Sequence, residues 1–306
     1  MKKERKILDC VDARETTPVR GAVVHPHEID TENPIAVAEA VKALFFVTGG
    51  MESFPLIDRS VADVAKMFNG DYPGYQAIDM EYHGMDHTFQ VTLCMAHLLK
   101  GRSETSDQPA FGNRERELAI LAALLHDTGF LKEEGDDSGT GAKYTFVHEQ
   151  RSCIFARKYL PELGCTPPEI LDICSAVMCT GPRNRIADVS FQREEARQIA
   201  LLLVTADYLA QMSAADYLEK LPKLYLEFME AFEWGDVPPE KRPYQSLRQF
   251  LEMTPDFWNK YVLPLLDGEA EGVYDYLSPA GLPNPYLDSI EGNIVELKRR
   301  LEAGIV

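Results

Sequence analysis

Two nearly continuous apolar segments each carry acidic side chains where an apolar helix should not tolerate them. The first is LAILAALLHDTGF, residues 118–130; the second is IALLLVTADYLAQM, residues 199–212. Segments this apolar must be buried on most sides if they are helical. A buried ionisable group is costly unless it is paired or holds a cation. His126 and Asp127 close the first segment and Asp207 sits inside the second. An imidazole and a carboxylate together suit a borderline or hard divalent ion. Coordination of one shared ion by His126, Asp127 and Asp207 is the economical solution. A helix-end histidine beside an exposed aspartate, and an Asp207 paired with a neighbour's hydroxyl or an arginine, are the plainer alternatives.

Helical patterning runs through most of the chain. Asn33-Pro34 reads as a cap and a first-turn proline, opening a helix to Val47 that stops at Gly49-Gly50. Further helices are expected over 59–68, 82–99, from Asn113 to a stop at Gly129, and over 146–162, 168–179 and 194–213. Thr254-Pro255 and Asn284-Pro285 repeat the cap-and-proline device. No alternating runs flanked by hairpin turns are seen. The fold class expected is all-α: a helical bundle with additional C-terminal helices. Residues 1–32 read as an arm and 33–232 as the main domain. EWGDVPPEKRP, residues 233–243, is the best candidate linker to a C-terminal extension, 233–306, packed on the main body.

The 306 residues suffice for a substantial core. No apolar stretch reaches the about 18 residues of a membrane span, and no apolar run follows the basic residues Lys2, Lys3, Arg5 and Lys6, so no secretory signal is read. Cys10, Cys94, Cys153, Cys165, Cys174 and Cys179 form no CxxC pair; reduced thiols in a cytoplasmic protein are the simple reading. The net charge of −18 opposes nucleic-acid polymers and anionic membranes. It leaves room for a small phosphorylated substrate, whose charge a metal and local cations would meet.

His83 and His87 stand four apart in EYHGMDHTFQV. On a helix that spacing stacks them on one face, where they could share a metal, or one could bind metal while the other touches substrate; a solvent-facing pair is the bland alternative. His148, in FVHEQRS, follows the polar loop 131–145, itself long enough for a lid or pocket rim. A second metal site, a phosphate contact and a core position all remain open for it. His97 reads as structural, and His25 and His27 receive no role. Lys143, Arg151 and Arg183, with Lys132 and Arg185, are the candidate phosphate contacts.

The order His, His-Asp, Asp on separate helices resembles the HD superfamily of metal-dependent phosphohydrolases, relatives of the cyclic-nucleotide phosphodiesterases. Tyr82-His83 through His87 to Val91, LAALLHDTGF and TADYLAQM carry the resemblance, over about residues 70–215. It implies His87, His126, Asp127 and Asp207 as ligands of a divalent ion (Mn, Mg, Co, Zn, Ni or Fe). It implies His83 as general acid and Asp127 as catalytic and, with two ions present, bridging. The chain departs from binuclear members at ICSAVMCTG, residues 173–181, which carries no histidine; Cys179 lies near that position. The glycine-tyrosine-proline signature of the cyclic dinucleotide branch is absent.

The expected activity is hydrolysis of a phosphomonoester or phosphodiester, a nucleotide or another small phosphate ester, by a metal-activated water. His83 would protonate the leaving oxygen; Asp86 could orient one of the histidines. A di-iron oxygenase, and a non-enzymatic ligand sensor on the same scaffold, are the competing readings. Phe257, Trp258, Tyr261, Tyr274 and Tyr276 could form a homodimer face, with core packing the usual role of such aromatics.

Overall fold

Apolar residues at helical spacing recur along the chain, and each run becomes a helix whose apolar side is buried. The computed structural model describes residues 29–46, 54–105, 109–181, 184–278 and 282–305. Eleven α-helices are found among them: α1 (Pro34–Phe46), α2 (Pro55–Asn69), α3 (Met85–Thr105), α4 (Asn113–Leu125), α5 (His148–Tyr159), α6 (Pro167–Met178), α7 (Glu194–Ser213), α8 (Tyr217–Trp234), α9 (Leu247–Phe257), α10 (Leu263–Asp267) and α11 (Pro285–Ala303). The described residues form no strand; the one β-type contact is an isolated bridge between Tyr75 and Glu133. The chain is all-α. No described helix is long and apolar enough to cross a membrane.

α3 and α7 lie along one another at the centre, with α4 packed against both and against α6. Leu118 through Leu125 on α4 and Ile199 through Val204 on α7 are almost wholly inaccessible. Burial on this scale, worth about 1.5–3 kcal/mol for each large aliphatic side chain, makes the ends of α4 and the middle of α7 rigid supports. α5 packs on α6 and on the short 3₁₀ turn Thr128–Phe130 that follows α4. α11 closes over α7 and α9. One continuous core runs from Val37 to Leu297, across the stretch 233–243 read as a linker.

Several local devices act as expected. Pro34 opens α1, and Asn33 Oδ1 accepts from the Ile35 and Ala36 amides. Asn284 caps α11, accepting from the Tyr286 and Leu287 amides. Two expectations change. Pro255 does not open a helix; it lies inside α9. Proline offers no N–H to the preceding turn, and the helix widens into a π-turn over Trp258–Val262 just beyond it. Gly129 is not the stop of α4, which ends at Leu125. Instead a Cβ at Gly129 would stand 1.9 Å from the His148 carbonyl oxygen, so only glycine lets the start of α5 approach. The Gly49-Gly50 stop and the arm up to residue 28, with Cys10, His25 and His27, lie outside the described residues.

Candidate metal centre

The end of α4 and the start of α3 bring His126, Asp127 and His87 together, and the middle of α7 sets Asp207 beside the two histidines. His87 Nε2 stands 3.3 Å from Asp127 Oδ2 and 3.3 Å from Asp207 Oδ1. His126 Nε2 stands 3.2 Å from Asp127 Oδ2, 3.7 Å from Asp207 Oδ1 and 3.4 Å from His87 Nε2. His87, His126 and Asp127 are each buried, their ligand atoms all within 4.8 Å of one another, a group that could hold a metal ion.

Tautomers make this geometry informative. His126 Nδ1–H donates to the Ala123 carbonyl at 2.7 Å, so neutral His126 turns a bare Nε2 lone pair inward. Asp127 Oδ2 is buried with no hydrogen-bond donor. A bare His126 Nε2 and a carboxylate oxygen meeting at 3.2 Å repel unless a proton or a cation stands between them. The electrostatics say the same. Burial alone would push the His87 imidazole down, but Asp127 and Asp207 outweigh it and raise it to about 10. His126 is likewise raised against its burial, chiefly by Asp127. Asp127, also against its burial, is held well below the usual carboxylate range, first by His126. The carboxylates thus draw positive charge to the same place that could hold an ion.

His148 joins this cluster. Its Nδ1–H donates to the Thr145 carbonyl at 2.8 Å, leaving Nε2 to face Asp127 Oδ1 at 3.7 Å. The position is buried and adjoins Asp127. Ser152 on α5 clamps it there, donating to the His126 carbonyl at 2.6 Å and accepting from the Gly129 amide at 2.8 Å.

His83 lies in a bend ahead of α3, which begins only at Met85. It is therefore not a helical neighbour of His87, although the two rings meet edge to face at 5.6 Å. The one-turn spacing argument named two residues of one site but not the local structure that joins them. His83 Nδ1–H donates to Glu227 Oε2 at 2.6 Å. Glu227 also accepts from the Tyr82 amide at 2.7 Å. The sequence reading missed Glu227, which lies on α8 among the buried residues Leu221, Leu224 and Ala231. A carboxylate in that apolar stripe was the available signal.

The remaining candidates are engaged elsewhere. Lys143 donates to Asp136 and to the Ser138 carbonyl. Arg151 donates to the Gly129 and Leu131 carbonyls at 2.7 and 2.8 Å and covers the Tyr144 ring at 3.5 Å. Lys132 pairs with Asp79 at 2.7 Å, and Arg185 with Glu269 at 2.7 Å. Lys132, Lys143 and Arg151 thus build the loop 131–145 into a fixed rim, and the structure does not bring their charges to the cluster. Arg183 lies outside the described residues. Asp86 orients neither histidine; it pairs with Lys220 and accepts from Thr31. Cys179 is no thiolate: burial, then Glu269, pushes its thiol up to about 12, and it donates to the Ser175 carbonyl. The other described cysteines are also free and buried.

A scan of protein-family models finds no match to this chain, and a search of curated proteins finds none. The reading of the centre therefore rests on its own residues.

Proposed function

We propose that the chain is a metal-dependent phosphohydrolase of the HD type, acting on a small phosphate ester. The observation that carries this reading is the orphaned Asp127 Oδ2, buried between two histidine Nε2 atoms and lacking any donor. Two imidazoles and two carboxylates are a donor set for a divalent ion, with positions left for water and substrate. His87, His126, Asp127 and Asp207 would hold it, and Asp127 Oδ1 with His148 offers a second, smaller donor pair.

When bound, the ion would polarise the phosphoryl group and ease deprotonation of a water. The chain's own residues supply the rest. His83 delivers a proton to the leaving oxygen from the ring nitrogen that Glu227 does not engage. Glu227 holds the other nitrogen's proton and stabilises the charged imidazole during the transfer. Asp127, holding the attacking water, would aid its deprotonation. Tyr82 donates to Gln211 at 2.7 Å and Gln211 to the Asp207 carbonyl at 3.1 Å, steadying the wall that carries Asp207.

A second reading, a di-iron oxygenase, draws support from the His148–Asp127 approach, which suits a second ion equally well. Metal analysis after anaerobic purification, followed by assays of phosphoester hydrolysis and oxygen uptake, separates the two. Metal-dependent release of phosphate or alcohol, lost in Asp127→Ala, supports hydrolysis. Iron with oxygen uptake and no hydrolysis moves the chain to the other class.

A further inference from the structure

The outer face of α8 is unused by the centre. Leu226, Met229, Glu230, Glu233 and Trp234 follow at helical i, i+3, i+4, i+7, i+8 spacing, so they form one stripe. With Gly139 of the rim they line an open groove of about 550 Å³. Leu226 is 64% exposed and Trp234 53%. Large apolar side chains aligned on a solvent face mark interaction surfaces rather than ordinary surface scatter, and tryptophan is the residue most enriched at interface centres. The Trp234 ring is anchored: the Lys143 ammonium stands 4.9 Å from its centroid. Glu230 is fixed as well, accepting from the Thr140 amide and hydroxyl.

The rim chemistry selects the occupant. Glu233 is exposed and, among the described residues, forms no ion pair; the Glu230 charge is met in part, by Thr140 and by Lys132 nearby. Glu233 therefore flanks the apolar stripe with an unpaired charge, and Glu230 adds a partly met one beside it. The chain carries a net charge of −18. A second copy would bring like charge to this face, which opposes self-association here. We propose that the groove docks an amphipathic, basic helix of another protein, its apolar face on Leu226, Met229 and Trp234 and its Lys or Arg residues on Glu230 and Glu233. The stripe spans nine residues, about 12 Å of helix, so roughly two turns of the partner are engaged. The mode is helix-in-groove recognition with charge complementarity at the rim.

Three synthetic peptides test this on the full chain: an amphipathic Leu/Lys helix, its Leu/Glu counterpart, and a scrambled Leu/Lys sequence of equal composition. Tryptophan emission is a direct reporter, because Trp258 is buried and Trp234 is exposed. The expected result is a saturable blue shift with the amphipathic basic peptide alone. Leu226→Glu and Glu233→Lys should each weaken it by about tenfold or more, and Trp234→Ala should do so by calorimetry. All three positions are exposed, so unchanged melting temperatures verify that the variants fold. Equal binding of the scrambled peptide, binding of the acidic one, or indifference to Leu226→Glu and Glu233→Lys would overturn the proposal. So would sedimentation showing a dimer that Trp234→Ala converts to monomer, since the occupant would then be a second copy.

Discussion

His83 and Glu227 stand 144 residues apart in sequence, and their Nδ1 and Oε2 atoms are 2.6 Å apart. A histidine so tied presents its other ring nitrogen in one fixed orientation. His83→Ala is expected to keep its metal and lose roughly 10²–10⁴ in turnover. Glu227→Gln should lose less, with metal content unchanged, and both losses should shrink for nitrophenyl esters, whose leaving groups need little protonation. The two substitutions should not add, because both act through one proton transfer. Steady-state kinetics on the double variant decide it: a Glu227→Gln penalty that persists without His83 would separate the two residues.

Asp127 is expected to control metal. Asp127→Ala should abolish stoichiometric metal and hydrolysis together, and full occupancy in that variant would remove the central claim. Chelation should lower the melting temperature of the wild type but not of Asp127→Ala, since only a chain that binds the ion is stabilised by it. The sign of the pH dependence follows from His87. With that imidazole raised to about 10, the metal-free centre carries its proton at neutral pH and must release it on binding. Metal affinity should therefore rise with pH until about 10. Calorimetry in buffers of different ionisation heat measures the released proton directly.

His148 separates a one-ion centre from a two-ion centre. With Nε2 facing Asp127 Oδ1 at 3.7 Å, His148→Ala should drop the metal content from two per chain towards one. Unchanged metal with a raised KM would instead make it a contact for the substrate. A lower melting temperature with full activity per folded molecule would make it structural only.

His97 provides a test outside the centre. Burial, then Lys100, lowers its imidazole to about 4, and it meets the Tyr286 hydroxyl of α11 at 2.8 Å. A histidine whose folded value lies below its unfolded 6.5 adds stability above 6.5 and loses it as pH falls towards 4. The loss is on the order of 3 kcal/mol at most. Urea titrations at pH 7 and pH 4.5 should show it, and His97→Gln should flatten the difference. A wild-type slope preserved in that variant would assign the acid sensitivity elsewhere.

How far the centre could be read in advance depended on the length scale of the signal. Asp127 and Asp207 stood out because each interrupts an apolar helix, and burial follows from that pattern alone. The helices themselves were legible for the same reason, although α3 starts three residues later than its pattern suggested and so leaves His83 in a bend. Glu227 carries a weaker mark, one carboxylate in the stripe of α8. The surroundings of Lys143 and Arg151 left no mark in the sequence. Their partners are Asp136 and the backbone at Gly129 and Leu131, and such folding-back leaves no periodic trace.

Phe130 stacks on His148 at 4.5 Å and 9° on one side, and on His83 at 4.9 Å and 27° on the other. It is itself 1% exposed and cannot swing away. The phenyl ring therefore acts as a spacer of fixed thickness between two imidazoles that Glu227 and Thr145 already hold in place. The two rings keep their separation whether or not anything lies in front of them. On the proposed reading, a substrate would meet a gauge already set.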